Sequence, residues 1–356
     1  LRMDQRRFRK LIVMSILVIA LSSGLAATAE TEFARDPLSS HDVRPGAGVT
    51  HVGCMSDYNA ALHFTPIDTR VYYLESGEPG PTALILGGTH ANEIAGVMAA
   101  TLIIERAVVT AGRIIVVPYA NNSAACQSDS TNGGPEWYYI QTPSGLRKFK
   151  YGDRRTSVSH QGKDPARYIH YPSGKALSGN SARDLNRVYP GKLNGNLTEK
   201  LAWAYMQLIK SEAVTIAIDL HEAGTASKLA NTIVANPKNL DYAVMAVLDE
   251  SLEGCNMNVD ASAPNSPGLS HREWGDVTRA AAYLIETPNP GQYSGAVNAD
   301  VVTDPANPLA ARVGTHLTAI EAIFAAHELI DGGRPEWTGI PARGDLVERG
   351  LGSYLR

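Results

Sequence analysis

Short apolar runs separated by polar breaks organise the first half of this chain. Val71 to Leu74 reads as a strand ended by Glu75-Ser76-Gly77. Thr82 to Leu86 is a continuous apolar run stopped by Gly87-Gly88, the pattern of a strand buried on both faces. Glu93 to about Val109 is rich in Ala, Met and Ile and predicts a helix, and Arg113 to Pro118 predicts the next buried strand. Strand, helix, strand in this order predicts an α/β sheet with right-handed crossovers. Further on, Leu197 to Ser211 is an amphipathic helix beginning near Asn196 or Thr198, and Ala213 to Leu220 is another buried strand, with His221 at its end. Ala281 to Glu286 is a further strand, and Thr315 to Leu329 a helix.

Two stretches break this rhythm. Asn121 to about Ser181 is rich in Ser, Gly, Pro, Tyr and basic residues with weak periodicity, so residues 121–181 are expected to form a long surface excursion flanking a site. Residues 333–356 are punctuated by Gly and Pro and read as a C-terminal tail. The main folded domain is expected over residues 50–332. There is no internal repeat and no low-complexity block.

The N-terminus has its own pattern. Arg6, Arg7, Arg9 and Lys10 precede Leu11 to Leu21, eleven residues apolar but for one Ser, and Ala27-Thr28-Ala29 has the small-x-small form of a cleavage site. Residues 1–29 therefore read as a secretory signal peptide, with export to the periplasm or the extracellular space after cleavage near Ala29. Eleven residues fall short of the roughly 20 that span a bilayer, so no stable membrane anchor is expected. Residues 30–49 read as a flexible N-terminal segment. Loss of residues 1–29 removes five basic residues and one acid and moves the net charge from −4 to −8. With no Lys/Arg stripe, such a chain is not expected to bind nucleic acid. Cys54, Cys126 and Cys255 allow at most one disulfide, and no C-x-x-C is present for a thiolate metal site.

Three predicted strands end in ionisable residues, where open α/β sheets place their sites: His90 and Glu93, then His221, then Glu286. An H-x-x-E pair alone is common by chance. This one follows a strand and Gly-Gly, and one helical turn puts His90 and Glu93 on the same face. With His221 they form a two-histidine, one-carboxylate set suited to a single zinc ion with a coordination position left for water. Asp219 is either an acceptor for a ligand imidazole N–H or a loop cap, and Glu222 is a weaker candidate. Asn186 and Arg187 suit a substrate carboxylate, and Arg183, four positions before Arg187, is a candidate for the same pocket. Arg154 and Arg155 are either oxyanion partners or surface charges. Glu286 is placed to take a proton from metal-bound water and pass it to a leaving amine. Ser270, His271, Arg272 and Asp276 form a polar patch expected to line the substrate site. Serine hydrolase chemistry is the natural rival, but there is no G-x-S-x-G nucleophile elbow, and no G-x-G-x-x-G or P-loop.

Gly87-Gly88-Thr89-His90-x-x-Glu93, Asp184-Leu185-Asn186-Arg187, Asp219-Leu220-His221 and Ile285-Glu286-Thr287 together resemble the zinc carboxypeptidase superfamily, and within it the succinylglutamate desuccinylase/aspartoacylase branch. The resemblance spans roughly residues 70–330. It implies a three-layer α/β fold with a mixed central sheet flanked by helices. It also implies one Zn2+ per chain on His90, Glu93 and His221, a carboxylate clamp of Asn186 and Arg187, and Glu286 as general base and acid. The implied activity is cleavage of an amide bond in a small N-acyl amino acid or peptide. Two features depart from the family. Seventy residues follow Glu286, much of them helix and tail, so the separate covering β-domain of aspartoacylase-type enzymes is expected to be missing or reduced, and export suits a peptidase-like use such as trimming peptides or cell-wall stems. The family's carbonyl-polarising arginine has no clear match, Arg183 and Arg155 being the candidates. The alternative to an enzyme is a binding protein on the same fold that has lost catalysis. No metal ligand and no catalytic Glu is missing here.

Overall fold

In the computed structural model, which describes residues 41–127, 134–249, 252, 254–292 and 299–356, the apolar runs form the middle of an eight-stranded sheet. With strands numbered in chain order, its members are β1 His51–Cys54, β2 Arg70–Glu75, β3 Thr82–Gly87, β5 Arg113–Val117, β10 Ile216–Gly224, β11 Thr232–Ala235, β12 Asn258–Ala261 and β13 Ala281–Asn289. The order across the sheet is β1-β2-β5-β3-β10-β13-β11-β12. β3 is parallel to β5 and β10, and β10 is parallel to β13. β2 and β11 run antiparallel to β5 and β13, so a buried parallel centre has antiparallel flanks.

Among the described residues, six helices have seven or more residues: α1 Ile94–Arg106, α2 Leu197–Ser211, α3 Leu240–Val247, α4 Ser270–Val277, α5 Leu309–Asp331 and α6 Arg343–Arg349. The period-two geometry of a strand sends neighbouring side chains to opposite faces. Ala83 and Ile85 accordingly join the core shared with α1 and α5, while Leu84 and Leu86 join the core shared with α2. The result is the mixed α/β sheet with helices on both faces that the sequence predicts. α2 starts where its sequence says: the Asn196 side chain accepts from Glu199 N at 2.9 Å while the Glu199 carboxylate accepts from Asn196 N at 2.9 Å.

Several boundaries differ from expectation. β10 and β13 continue past His221 and Glu286 because Glu222 to Gly224 pair with Thr287 to Asn289. His221 and Glu286 therefore lie inside paired strands rather than at their ends. The expected excursion carries two hairpins, β6 Trp137–Thr142 with β7 Gly145–Lys150 and β8 Arg167–Ile169 with β9 Ala176–Ser178. α1 stops at Arg106, and Val108–Ala111 turns into a short strand, β4, that pairs with β14 Glu336–Thr338 from the expected tail. Leu346, Leu351 and Leu355 of that tail are buried.

The part of the expected flexible segment that is described, residues 41–49, is also fixed. The fully buried Arg147 guanidinium binds both oxygens of buried Glu105, at 2.9 and 2.8 Å, and Asp42 at 2.8 Å. Glu105 also accepts from Arg44 N at 3.1 Å and Arg356 N at 2.7 Å. The expected signal peptide, residues 1–29, lies outside the described residues, and among the described residues no helix is long and apolar enough to cross a membrane. None of Cys54, Cys126 and Cys255 is in a disulfide.

Candidate metal centre and active site

β3 ends at Gly87, and the chain turns at Gly88, whose φ of +71° and close approach to the Pro118 carbonyl (3.0 Å from a Cβ placed there) require glycine. The turn sets buried His90 and Glu93 just before α1. β10 brings His221 alongside. The parallel register pairs His221 with Glu286 of β13, so the candidate base stands one strand away from a candidate ligand.

The donor atoms of His90, Glu93 and His221 lie within 4.8 Å of one another. Nδ1 of His90 is 2.7 Å from Glu93 Oε1, and Nδ1 of His221 is 2.7 Å from Glu93 Oε2. The opposite nitrogens face aspartates. His90 Nε2 is 3.0 Å from Asp184 Oδ1, and His221 Nε2 is 3.0 Å from Asp219 Oδ2, the latter pair close but not aligned as a hydrogen bond. Asp219 is held through its other oxygen by the Thr89 hydroxyl at 2.8 Å. Imidazoles that converge through one nitrogen and are backed by a carboxylate on the other are the arrangement of metal-ligating histidines. A two-nitrogen, one-oxygen set suits zinc. The residues present therefore fit the ion that the sequence implies.

Electrostatics agree with a cation site. Burial alone would raise the Glu93 pKa, but the two histidines outweigh it and hold the carboxyl well below its usual range. Burial would lower the His221 pKa, yet Asp219 and Glu93 hold it well above the ordinary histidine value. Glu286 goes the other way. Burial, and then the negative charge of Glu93, push its pKa up to about 8, against the pull of His221 and Arg154. Its Oε2 has no hydrogen-bond partner among the described residues, and its side chain is only half-buried. A divalent cation at the three donors would pull this value back down.

Arg154 comes from the excursion. The traverse that carries it is tied to the site by Ala91 N, which donates to Asp153 O at 2.9 Å. Its guanidinium meets Asp184 Oδ2 at 3.1 Å and Glu93 Oε1 at 3.4 Å. Burial would raise the Asp184 pKa, but Arg154 and His90 keep it well below the usual range. Asp184 also accepts from Asn186 N at 3.1 Å, capping the turn that carries Asn186 and Arg187. Asn186 Oδ1 is taken by Ser270 N at 2.7 Å, which fixes the amide so that Nδ2 is its donor to a ligand. Half-buried Arg187 donates to the Asn186 carbonyl at 2.6 Å and, among the described residues, has no carboxylate within ion-pair distance.

The structure brings His90, Glu93, His221, Glu286, Asn186 and Arg187 to the same end of the sheet. Arg183 is engaged elsewhere: its guanidinium binds both oxygens of Asp164, at 2.6 and 2.9 Å, and the Thr156 carbonyl. The polar patch divides. Arg272 pairs with Asp276 at 2.7 Å, while burial drives the His271 pKa down to about 3 and leaves a neutral ring near Asp219. Glu222 points away from the metal donors and pairs with buried Arg312. Sequence reasoning missed the roles of Asp184 and Gln292, whose Nε2 donates to Glu93 Oε1 at 3.1 Å, and left Arg154 open. Asp184 sits within a motif already singled out. No local signal marks Arg154 or Gln292.

Residues 79–286, more than half of the chain, match the model of the succinylglutamate desuccinylase/aspartoacylase catalytic domain. The chain belongs to this family, within the zinc carboxypeptidase-like superfamily. No curated protein matches the sequence. Among solved structures, it is similar to a succinylglutamate desuccinylase from Silicibacter sp. TM1040, at 16% identity and TM-score 0.44 over 78% of this chain and 64% of that one. It is also similar to product-bound ectoine utilization protein EutE from Ruegeria pomeroyi (16%, TM-score 0.43, 74% and 61%). A third is the tripeptide-bound cell shape determinant Csd4 from Helicobacter pylori (14%, TM-score 0.44, 76% and 56%). The chain thus spans less than two thirds of the length of each of these proteins.

Proposed function

We propose that this protein is an exported, zinc-dependent hydrolase that cleaves an amide bond in a carboxylate-bearing substrate, an N-acyl amino acid or a short peptide. The observation that carries the reading is the pairing of Glu286 with His221 across β10 and β13, beside two imidazoles that converge on Glu93 and are each backed by an aspartate. His90, Glu93 and His221 would hold the ion, which supplies Lewis acidity toward a carbonyl and toward water.

The chain's other residues account for the rest of the reaction. Asn186 Nδ2 and the Arg187 fork bind the substrate carboxylate and fix the scissile amide. Glu286 accepts a proton from the attacking water and returns it to the leaving nitrogen, so water adds across the C–N bond to give an acid and an amine. Arg154, next to Glu93, supplies positive charge where the carbonyl oxygen becomes negative. The residue pattern of 1–29 supports export, which N-terminal sequencing of secreted material tests.

Metal analysis of the purified protein tests the centre first. One zinc per chain is expected, lost in His90→Ala, and stoichiometric zinc in that variant would overturn the ligand assignment. Turnover is then measured on N-acyl amino acids, peptides with free C-termini and muropeptides. Equal cleavage of an amidated substrate and its free acid would overturn the carboxylate clamp.

A further inference from the structure

The family match ends at Glu286, yet the next few residues reach back to a metal ligand. After β13, Asn289 organises a tight turn. Its Oδ1 accepts from Gly291 N at 2.8 Å, and its carbonyl accepts from Gln292 N at 3.2 Å. Its Nδ2 donates to the Asn92 carbonyl and to Glu222 Oε2, both at 3.1 Å. Glu222 is itself anchored by buried Arg312 of α5 and by Ala95 N at 2.9 Å. The turn is confined by contact as well. A Cβ on Gly224 would sit 2.3 Å from the Gln292 carbonyl oxygen, and one on Gly291 would sit 2.4 Å from the Tyr151 hydroxyl. These contacts fix the backbone of the turn at Gln292, whose side-chain amide meets Glu93 Oε1 at 3.1 Å. On the other oxygen, Glu93 Oε2 accepts from Glu222 N at 3.0 Å.

We infer that Gln292 is a positioning residue of the metal centre. It and the Glu222 amide hold the two oxygens of the Glu93 carboxylate from outside, setting the rotation of that ligand before an ion binds. The inference rests on the proposed zinc site and adds a residue from beyond the family match. Partners of this kind around a metal ligand contribute roughly 10- to 100-fold to metal affinity. Gln292 shares Oε1 with Arg154 at 3.4 Å and with His90 Nδ1 at 2.7 Å, and it is the uncharged donor among the three.

The test is zinc affinity by competition with a chelator, together with the thermal midpoint of the metal-free protein, for wild type, Gln292→Leu and Gln292→Ala. Leu keeps much of the side-chain volume and removes the donor, and Ala removes both. Zinc binding about 10- to 100-fold weaker in both variants, with the metal-free midpoint unchanged, is the expected result. Wild-type affinity in Gln292→Leu would overturn the inference. So would a loss of affinity matched by a lower metal-free midpoint, because Gln292 would then merely hold the turn together. A wild-type protein that takes up no zinc would instead overturn the reading of the site itself.

Discussion

The centre of the sheet and the loops above it contribute to this site in different ways. β10 and β13 supply His221 and Glu286, and the turn directly after β3 supplies His90 and Glu93, next to apolar strands whose register is fixed by two buried faces. The traverse 152–156, the turn 184–187 and the turn 289–292 supply Arg154, Asp184, Asn186, Arg187 and Gln292. Those residues are held by hydrogen bonds between segments far apart in sequence, such as Ala91 to Asp153 and Ser270 to Asn186. The difference teaches that the proposed reacting groups are set by strand pairing, whereas the residues around them are set by tertiary hydrogen bonds that reach back to Glu93 and His90. Loss of a strand residue should abolish chemistry, whereas loss of a loop residue should grade it.

The largest effect is expected on the strand side. Glu286→Gln should keep zinc and lose roughly 10²- to 10⁴-fold in kcat. The wild-type rate should rise with pH as Glu286 loses its proton, through a value below about 8 because a bound cation lowers it. The variant should lack that limb, and near-normal turnover would make Glu286 structural. Next, Arg154→Ala should lower kcat by about 10²- to 10³-fold with a smaller change in KM, the behaviour of an oxyanion partner. If only zinc affinity falls, Arg154 serves to hold Glu93 and Asp184, and the loop contributes no chemistry. The smallest effect is expected at Arg187. Arg187→Ala should cost roughly 10- to 150-fold in kcat/KM, the range of a charged hydrogen bond. Arg187→Lys should not fully restore it, for want of a bidentate fork. A kcat loss in Arg187→Ala as large as that of Glu286→Gln would erase the distinction between the two regions.

The same contrast explains what the sequence discloses. Thr82 to Leu86 and Ala281 to Ile285 are apolar without interruption because both faces are buried, so the strands and the ionisable residues that follow them can be read directly. β11, Thr-Ile-Val-Ala, is apolar and buried but only four residues long, and β12, Asn-Val-Asp-Ala, has no apolar run at all, so neither stands out in the sequence. The extension of β10 to Gly224 depends on a partner strand about sixty residues away rather than on its own pattern. Arg154 lies in a segment whose composition is that of solvated loops, and only tertiary hydrogen bonds bring it to Glu93. Arg183 shows the converse. It lies close in sequence to Arg187, but Asp164 claims its guanidinium.

The Arg147–Glu105 pair bears on how the chain assembles. Glu105 sits at the end of α1, Arg147 in the β6–β7 hairpin, and their further partners are Asp42, Arg44 and Arg356. A partly folded form that buried Glu105 without Arg147 would carry an uncompensated charge, at a cost of about 3–5 kcal/mol. Half-formed arrangements of these four segments are therefore disfavoured, and the native state closes over the pair in a single cooperative event. Backbone amides at Gly46, Glu105 and Arg147 should then exchange with solvent through a common opening reaction, with one shared free energy. Well-separated exchange energies at the three positions would show that the segments dock one at a time.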